Sequence, residues 1–236
     1  MRESSRKARY ALAIPSRAAE MELWEKVDRY IGETLVQPDE ALAAALEASD
    51  EAGLPAISVS PSHGKLLWIL ARLANAKRIL EVGTLGGYSA IWLARALPAD
   101  GRLITLEAVD KHARVAKANI AKAGLEKKVE IRLGAALDTL PSLQGPFDLA
   151  FIDADKQNNA EYFSWALKLS RPGSLIVVDN VVRDGKVIDA RSRDASVQGV
   201  RRLNELIAAE KRVSATAVQT VGMKGYDGFA VALVTG

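Results

Sequence analysis

The chain has 236 residues, 49% hydrophobic and 26% charged, with a formal net charge of +3. This is the balance of a globular protein able to bury a core, as one large domain rather than two, and its weak positive charge, spread along the chain, gives no specific argument for nucleic acid. Cysteine is absent and histidine occurs twice, which excludes disulfides, thiolate nucleophiles and zinc-type sites, fits a reducing cytoplasm, and leaves hard cations held by oxygen as the candidate metals.

Residues 1–18 are polar and unpatterned and read as a mobile arm, and their basic residues, lacking a sustained apolar core, give no secretory signal. No apolar stretch is long enough to span a bilayer. "MELWEKVDRYIGETLV" and "DEALAAALEASDEAGL" predict two helices, the second opened by Pro38 and Asp39 and closed by Gly53. "SPSHGKLLWILARLANA" predicts a third. From residue 78 the period changes: "RILEVG", "RLITLE", "VEIRLG", "DLAFID" and "LIVVDN" are short β-type runs separated by segments of helical length. Such alternation predicts a mostly parallel sheet with helices on both faces, and the unbroken apolar "LIVV" predicts a strand covered on both sides. "RVSATAVQTV" and "GFAVALVT", flanking the turn-like "GMKGYDG", predict a C-terminal antiparallel hairpin. The expected unit is a single α/β domain over 19–236, with a helical cap to residue 76 and the sheet core from residue 77.

In open α/β sheets, ligands bind beyond the carboxyl ends of the strands near a topological switch point. The first run ends in "EVGTLGGYS", where Gly83, Gly86 and Gly87 permit a tight turn and a close backbone approach to a ligand. Leu85 replaces the glycine that makes room for a pyrophosphate in the dinucleotide fingerprint, which counts against a nicotinamide dehydrogenase. Glu81, just before the loop, repels phosphates and suits a cationic ligand. Glu107, ending the second run, stands where a carboxylate accepts hydrogen bonds from ribose hydroxyls. These features favour S-adenosylmethionine, which combines adenosine and a sulfonium cation without a phosphate. His112 reads as solvated in a charged helix start, and His63, in "SPSHGK", as a helix-start surface residue rather than a cofactor contact.

The stretch "FDLAFIDADK" ends an apolar run in Asp153, Asp155 and Lys156, and the next run ends in Asp179-Asn180. Charges at a strand tip are costly unless they meet water, a ligand or a metal. If the two strands are neighbours, Asp153, Asp179 and Asn180 converge as two carboxylates and an amide carbonyl, an oxygen-only set suited to Mg²⁺ or Ca²⁺.

"ILEVGTLGGYSAIWLA", "FIDADK" and "VVDNVVRDGKV", in this order and spacing, resemble the cation-dependent class I O-methyltransferases, which include caffeoyl-CoA O-methyltransferases, bacterial relatives and, more distantly, catechol O-methyltransferase. The resemblance runs from about Ile57 to the C-terminus. It implies a Rossmann-like seven-stranded methyltransferase sheet, usually in a homodimer. It implies that Asp153, Asp179 and Asn180 bind a divalent cation, Mg²⁺ or alternatively Ca²⁺ or Mn²⁺. It places Glu81, Gly83, Thr84, Ser89, Glu107, Ala136 and Asp155 around S-adenosylmethionine and its product S-adenosylhomocysteine. Lys156 falls on the catalytic lysine of catechol O-methyltransferase, with Asp153 beside it. Val59 replaces a cofactor-binding threonine of the plant enzymes, so only its backbone serves. "PSHGK" replaces an acidic stretch, and Asp184 replaces an asparagine near the acyl-donor site, which counts against a CoA-ester acceptor.

The implied reaction methylates one of two adjacent hydroxyls of a catechol-like or phenolic small molecule, with the metal favouring the ionised hydroxyl and Lys156 accepting the proton. Two rival readings share the site: methylation of a hydroxylated base in RNA, which demands a basic groove and salt-sensitive binding, and a non-catalytic cofactor-binding protein, against which the set Asp153, Lys156, Asp179 and Asn180 argues. No membrane association is expected.

Overall fold

The periods read from the chain take shape, in a computed structural model that describes residues 22–236, as a seven-stranded sheet with helices on both faces. The expected arm over 1–18 lies outside the described residues. The elements are α1 (Leu23–Ile31), a π-type turn (Gly32–Val36), α2 (Glu40–Glu51), α3 (Pro61–Leu73), β1 (Arg78–Val82), α4 (Tyr88–Ala96), β2 (Arg102–Glu107) and α5 (Asp110–Lys122). They continue with β3 (Val129–Leu133), the short α6 (Ala136–Thr139), β4 (Phe147–Ile152), α7 (Asn159–Lys168), β5 (Ser170–Asp179), α8 (Ala195–Ala209), β6 (Val213–Gly222) and β7 (Gly225–Val234).

Helix starts follow local chemistry. The Asp39 carboxylate accepts from Leu42 N (2.9 Å) to cap α2, and Ser60 Oγ accepts from His63 N (3.2 Å) to cap α3, with Pro61 in the first turn. The strand order is β3-β2-β1-β4-β5-β7-β6; β1 to β5 run parallel, and β7 enters antiparallel between β5 and β6. The order reverses between β1 and β4, so a crevice opens beyond their carboxyl ends. Among the described residues no helix is long and apolar enough to cross a membrane.

The period of two sorts each strand's side chains. Ile79, Leu103, Leu149, Phe151 and Val177 face a core closed by α2, α3, α4 and α5, whereas Leu80, Leu106, Ala150, Ile152, Ile176 and Val178 face one closed by α7 and α8. Glu81, Thr105 and Asp179 continue the first face toward the crevice, which explains how acids reach a sheet surface that is apolar further back.

The hairpin is longer and tighter than the expected turn over 222–228. Gly222 pairs with Gly225, so only Met223 and Lys224 form the turn, and Gly225 at φ 84° makes that reversal accessible.

Candidate active site

A cleft of about 1000 Å³ opens over the carboxyl ends of β1, β2, β4 and β5, and of the candidate donor, metal and catalytic residues all but the wholly enclosed Glu81 line it. Beneath its floor the Glu81 carboxyl is fully buried. Thr105 Oγ1 donates to Glu81 Oε2 (2.6 Å) and sits 2.5 Å from Thr84 Oγ1, tying the carboxyl to the glycine loop through two hydroxyls. Glu81 Oε1 has no hydrogen-bond partner. Burial pushes the Glu81 pKa up to about 7, opposed by the hydroxyls of Thr105 and Ser89. A buried carboxyl driven toward neutrality with one oxygen unmatched is a site for a cation or a strong donor.

Gly83 turns the chain between that carboxyl and the loop. Its φ is 100°, and a Cβ there would lie 2.2 Å from the Asp153 carbonyl oxygen, so only glycine lets β1 and β4 close at their tips. Glu107 Oε2 accepts from Thr84 N (3.2 Å) and Leu85 N (2.8 Å), while Oε1 accepts from Val109 N (2.9 Å). The carboxylate therefore holds the glycine loop in shape and keeps further acceptor capacity for a ligand. His112, expected to be solvated, instead brings Nδ1 to 3.4 Å from Glu107 Oε1 with its side chain one-fifth exposed.

Asp155 accepts from Asn158 Nδ2 (2.6 Å) and Tyr162 OH (2.5 Å) at the start of α7; burial and Asp155 together raise the Tyr162 pKa, so the phenol stays a donor. Ala136, Ser89 and Val59 complete the walls of this half, Val59 immediately before the cap of α3.

The other half gathers Asp153, Lys156, Asp179 and Asn180. Lys156 is buried and donates to Asp153 Oδ1 at 2.6 Å; it is an enclosed partner of that acid rather than a surface charge. Burial, then the charge of Asp153, raises the Asp179 pKa, with Lys156 opposing. Asn180 holds φ 58°, an uncommon backbone for a non-glycine residue, and donates its own N–H to Asp179 Oδ1 (2.8 Å). Among the described residues no cluster of three or more His, Cys, Asp or Glu is arranged to hold a metal. The donor set here is two carboxylates and an amide, hard oxygens whose mutual repulsion a divalent cation would offset, so the residues fit Mg²⁺-type chemistry.

Two residues join the site without a local signal in the chain. His63, expected on the surface, is enclosed: its ring stacks on Phe229 (centroids 5.0 Å), meets Phe151 edge-on (6.2 Å) and brings Nδ1 to 3.6 Å from Asp179 Oδ2. Burial holds its pKa below the ordinary value, against the pull of Asp153, and Nε2 has no partner. Asp227, on β7, accepts from Val182 N (3.0 Å), Arg183 N (3.0 Å) and Gly228 N (2.9 Å). It fixes the loop after β5, where Arg183 and Asp184 also hold positive φ.

Comparison with known proteins follows this geometry. The O-methyltransferase family pattern matches residues 33–232. A catechol O-methyltransferase of Niastella koreensis is 58% identical over 217 residues, covering 90% of this chain and 98% of that protein. A catechol O-methyltransferase of Mycobacterium tuberculosis is 54% identical over 209 residues, covering 88% and 94%. A crystal structure of an O-methyltransferase from Bacillus cereus in complex with SAH superposes with a TM-score of 0.89 at 56% identity, covering 90% of this chain and 98% of that one. Matched over most of its length in sequence and in fold, the chain belongs to the O-methyltransferase family.

Proposed function

We propose that this O-methyltransferase moves the methyl group of S-adenosylmethionine onto one of two adjacent hydroxyls of a catechol-like small molecule, with a divalent cation, Mg²⁺ by preference, held at the strand tips. The observation that carries the reading is one cleft with two complementary halves: a glycine loop over the buried Glu81 carboxyl, whose Oε1 has no hydrogen-bond partner, and the cluster Asp153, Lys156, Asp179 and Asn180. The names of the relatives at 54–58% identity support the acceptor class.

In this reading Glu81, Gly83, Thr84, Ser89, Glu107, Ala136, Asp155 and the backbone of Val59 surround the methyl donor. Asp153, Asp179 and Asn180 would hold the cation. When bound, the donor supplies an electrophilic methyl carbon and the cation favours the ionised form of a nearby hydroxyl. Lys156 Nζ, positioned by Asp153, would take the proton of the acceptor hydroxyl only as the neutral amine, so its ammonium proton must first leave, a loss that a divalent cation beside it would favour. Much of the rate comes from rigid placement: both acids sit on tips of paired strands, where oxygen and methyl are held in register. The exposed apolar face of α1, with Leu23 72% and Tyr30 67% exposed, supports assembly as a homodimer.

The test is transfer of labelled methyl from S-adenosylmethionine to catechol, with and without EDTA. The reading predicts a monomethyl ether, lost in EDTA and restored by Mg²⁺. An unchanged rate in EDTA removes the metal from the account, and failure to methylate any vicinal diol of a phenolic panel removes the acceptor class.

A further inference from the structure

The acceptor end of the cleft carries two cationic side chains: Lys224, with no carboxylate within ion-pair distance among the described residues, and Arg183, with one long contact to Asp227. Lys224 sits in the two-residue turn between β6 and β7, exposed at the mouth of the cleft, and its Nζ donates to the Ala56 carbonyl at 3.0 Å. That partner is neutral, and an ammonium has three donors, so two remain for a ligand. Arg183, in the strained loop after β5, lines the same cleft; its Nε is enclosed without an acceptor, and its Nη1 reaches no nearer than 3.9 Å to Asp227 Oδ2.

The nearby acids make their short contacts elsewhere, and none forms a direct ion pair with Lys224 among the described residues. Asp28 is spent on Ser62 Oγ (3.2 Å) and Met223 N (3.1 Å), and Asp227 Oδ1 on three backbone N–H groups. Asp153 is paired with Lys156. Asp184 is largely exposed, with its side chain 3.9 Å from Lys186. Partial desolvation lowers the Lys224 pKa while the charge of Asp153 raises it, as expected for an ammonium on the acceptor side of the cleft.

We propose that Lys224, seconded by Arg183, selects acceptors whose catechol ring carries a carboxylate, so that the preferred substrates are dihydroxyphenyl carboxylic acids rather than neutral catechols. This rests on the catechol reading above. The vicinal hydroxyls lie at Asp153, Asp179 and Asn180, and the carboxylate, on the ring's far side, meets the Lys224 ammonium in a charge-assisted hydrogen bond. Lys224 also holds the hairpin turn to the loop before α3 through Ala56, so it carries a structural role that the test must separate from charge recognition.

The experiment compares kcat/KM for 3,4-dihydroxybenzoate and its neutral methyl ester, with catechol as reference, in the native protein and in Lys224→Met and Lys224→Arg. The native protein is expected to favour the acid over the ester by tenfold or more. Lys224→Met collapses that ratio toward one, and Lys224→Arg retains it. A loss of the hairpin tie alone lowers acid and ester equally and leaves the ratio unchanged, which overturns the proposal. Equal use of acid and ester by the native protein overturns it as well. If catechol and both dihydroxybenzoates all go unmethylated, the catechol reading itself fails, an outcome distinct from a missing preference.

Discussion

Burial disfavours the Glu81 carboxylate, and this has a pH consequence. Its pKa in the folded chain is about 7, against an ordinary 4.5, because burial penalises the carboxylate. The protonated form therefore favours folding: the contribution is fully present below about pH 4.5 and is lost as pH rises through about 7. Between these limits the ligand-free protein should lose roughly 3–4 kcal/mol relative to Glu81→Gln, at about 1.4 kcal/mol per pKa unit. Thermal melts from pH 5 to 8 check this; parallel stability curves for the two proteins would contradict it. Saturating S-adenosylmethionine should flatten the native curve, since a bound cation favours the carboxylate. Glu81 and Glu107 were legible in the chain because each ends a short β-type run beside a glycine loop. Thr105 was not, because its role depends on a neighbouring strand placing it between Glu81 and Thr84. His63 was misread for a similar reason: Phe151 and Phe229, which enclose it, come from β4 and β7.

The tips of β4 and β5 hold the acid-lysine cluster, and α8 packs against the turn that carries Lys156. A Cβ on Gly199 would fall 2.1 Å from the Lys156 carbonyl oxygen and 2.6 Å from Gln157 Cα, both backbone atoms that cannot swing aside. Gly199→Ala should therefore push α8 from the turn that carries Lys156, destabilising the fold by about 1–3 kcal/mol as overpacking does and lowering kcat more than donor affinity. Melting temperature, kcat and calorimetric binding of S-adenosylhomocysteine check it; a native melt with native kcat would show that the contact relaxes freely. The parallel strands were legible because their apolar runs are short and separated by helical periods. The early part of β5 was not, since "SRPG" reads as a turn yet Ser174 Oγ ties it to the Phe147 carbonyl at 2.7 Å. The conformation of the loop after β5 was equally hidden, because Val182 and Arg183 are tied to Asp227 on another strand.

Across the fold, the switch between β1 and β4 aligns two groups of residues along one crevice: those at the ends of β1 and β2 proposed to hold the donor, and the acid-lysine cluster at the ends of β4 and β5. Short motifs drew attention to both halves: the glycine turn and the paired acids stood out by spacing, and the resemblance supplied the remaining candidates. The acceptor wall was not readable, since Lys224, Arg183, Asp28 and Ala56 come from separated segments that only the hairpin and α1 bring together. In the proposed mechanism the strand tips divide the work between cation-holding acids and a proton-accepting lysine. The deciding measurement is the pH–rate profile of Asp179→Ala and Lys156→Ala on catechol, with Mg²⁺ varied. Asp179→Ala should be nearly inactive at every pH and should need more Mg²⁺ for any remaining turnover. Lys156→Ala should bind Mg²⁺ and donor normally, lose about 10²–10⁴ in rate near neutrality, and recover in part at alkaline pH as the acceptor ionises unaided. Near-native activity of Lys156→Ala at neutral pH, or full activity of Asp179→Ala at unchanged Mg²⁺, would contradict this division of roles.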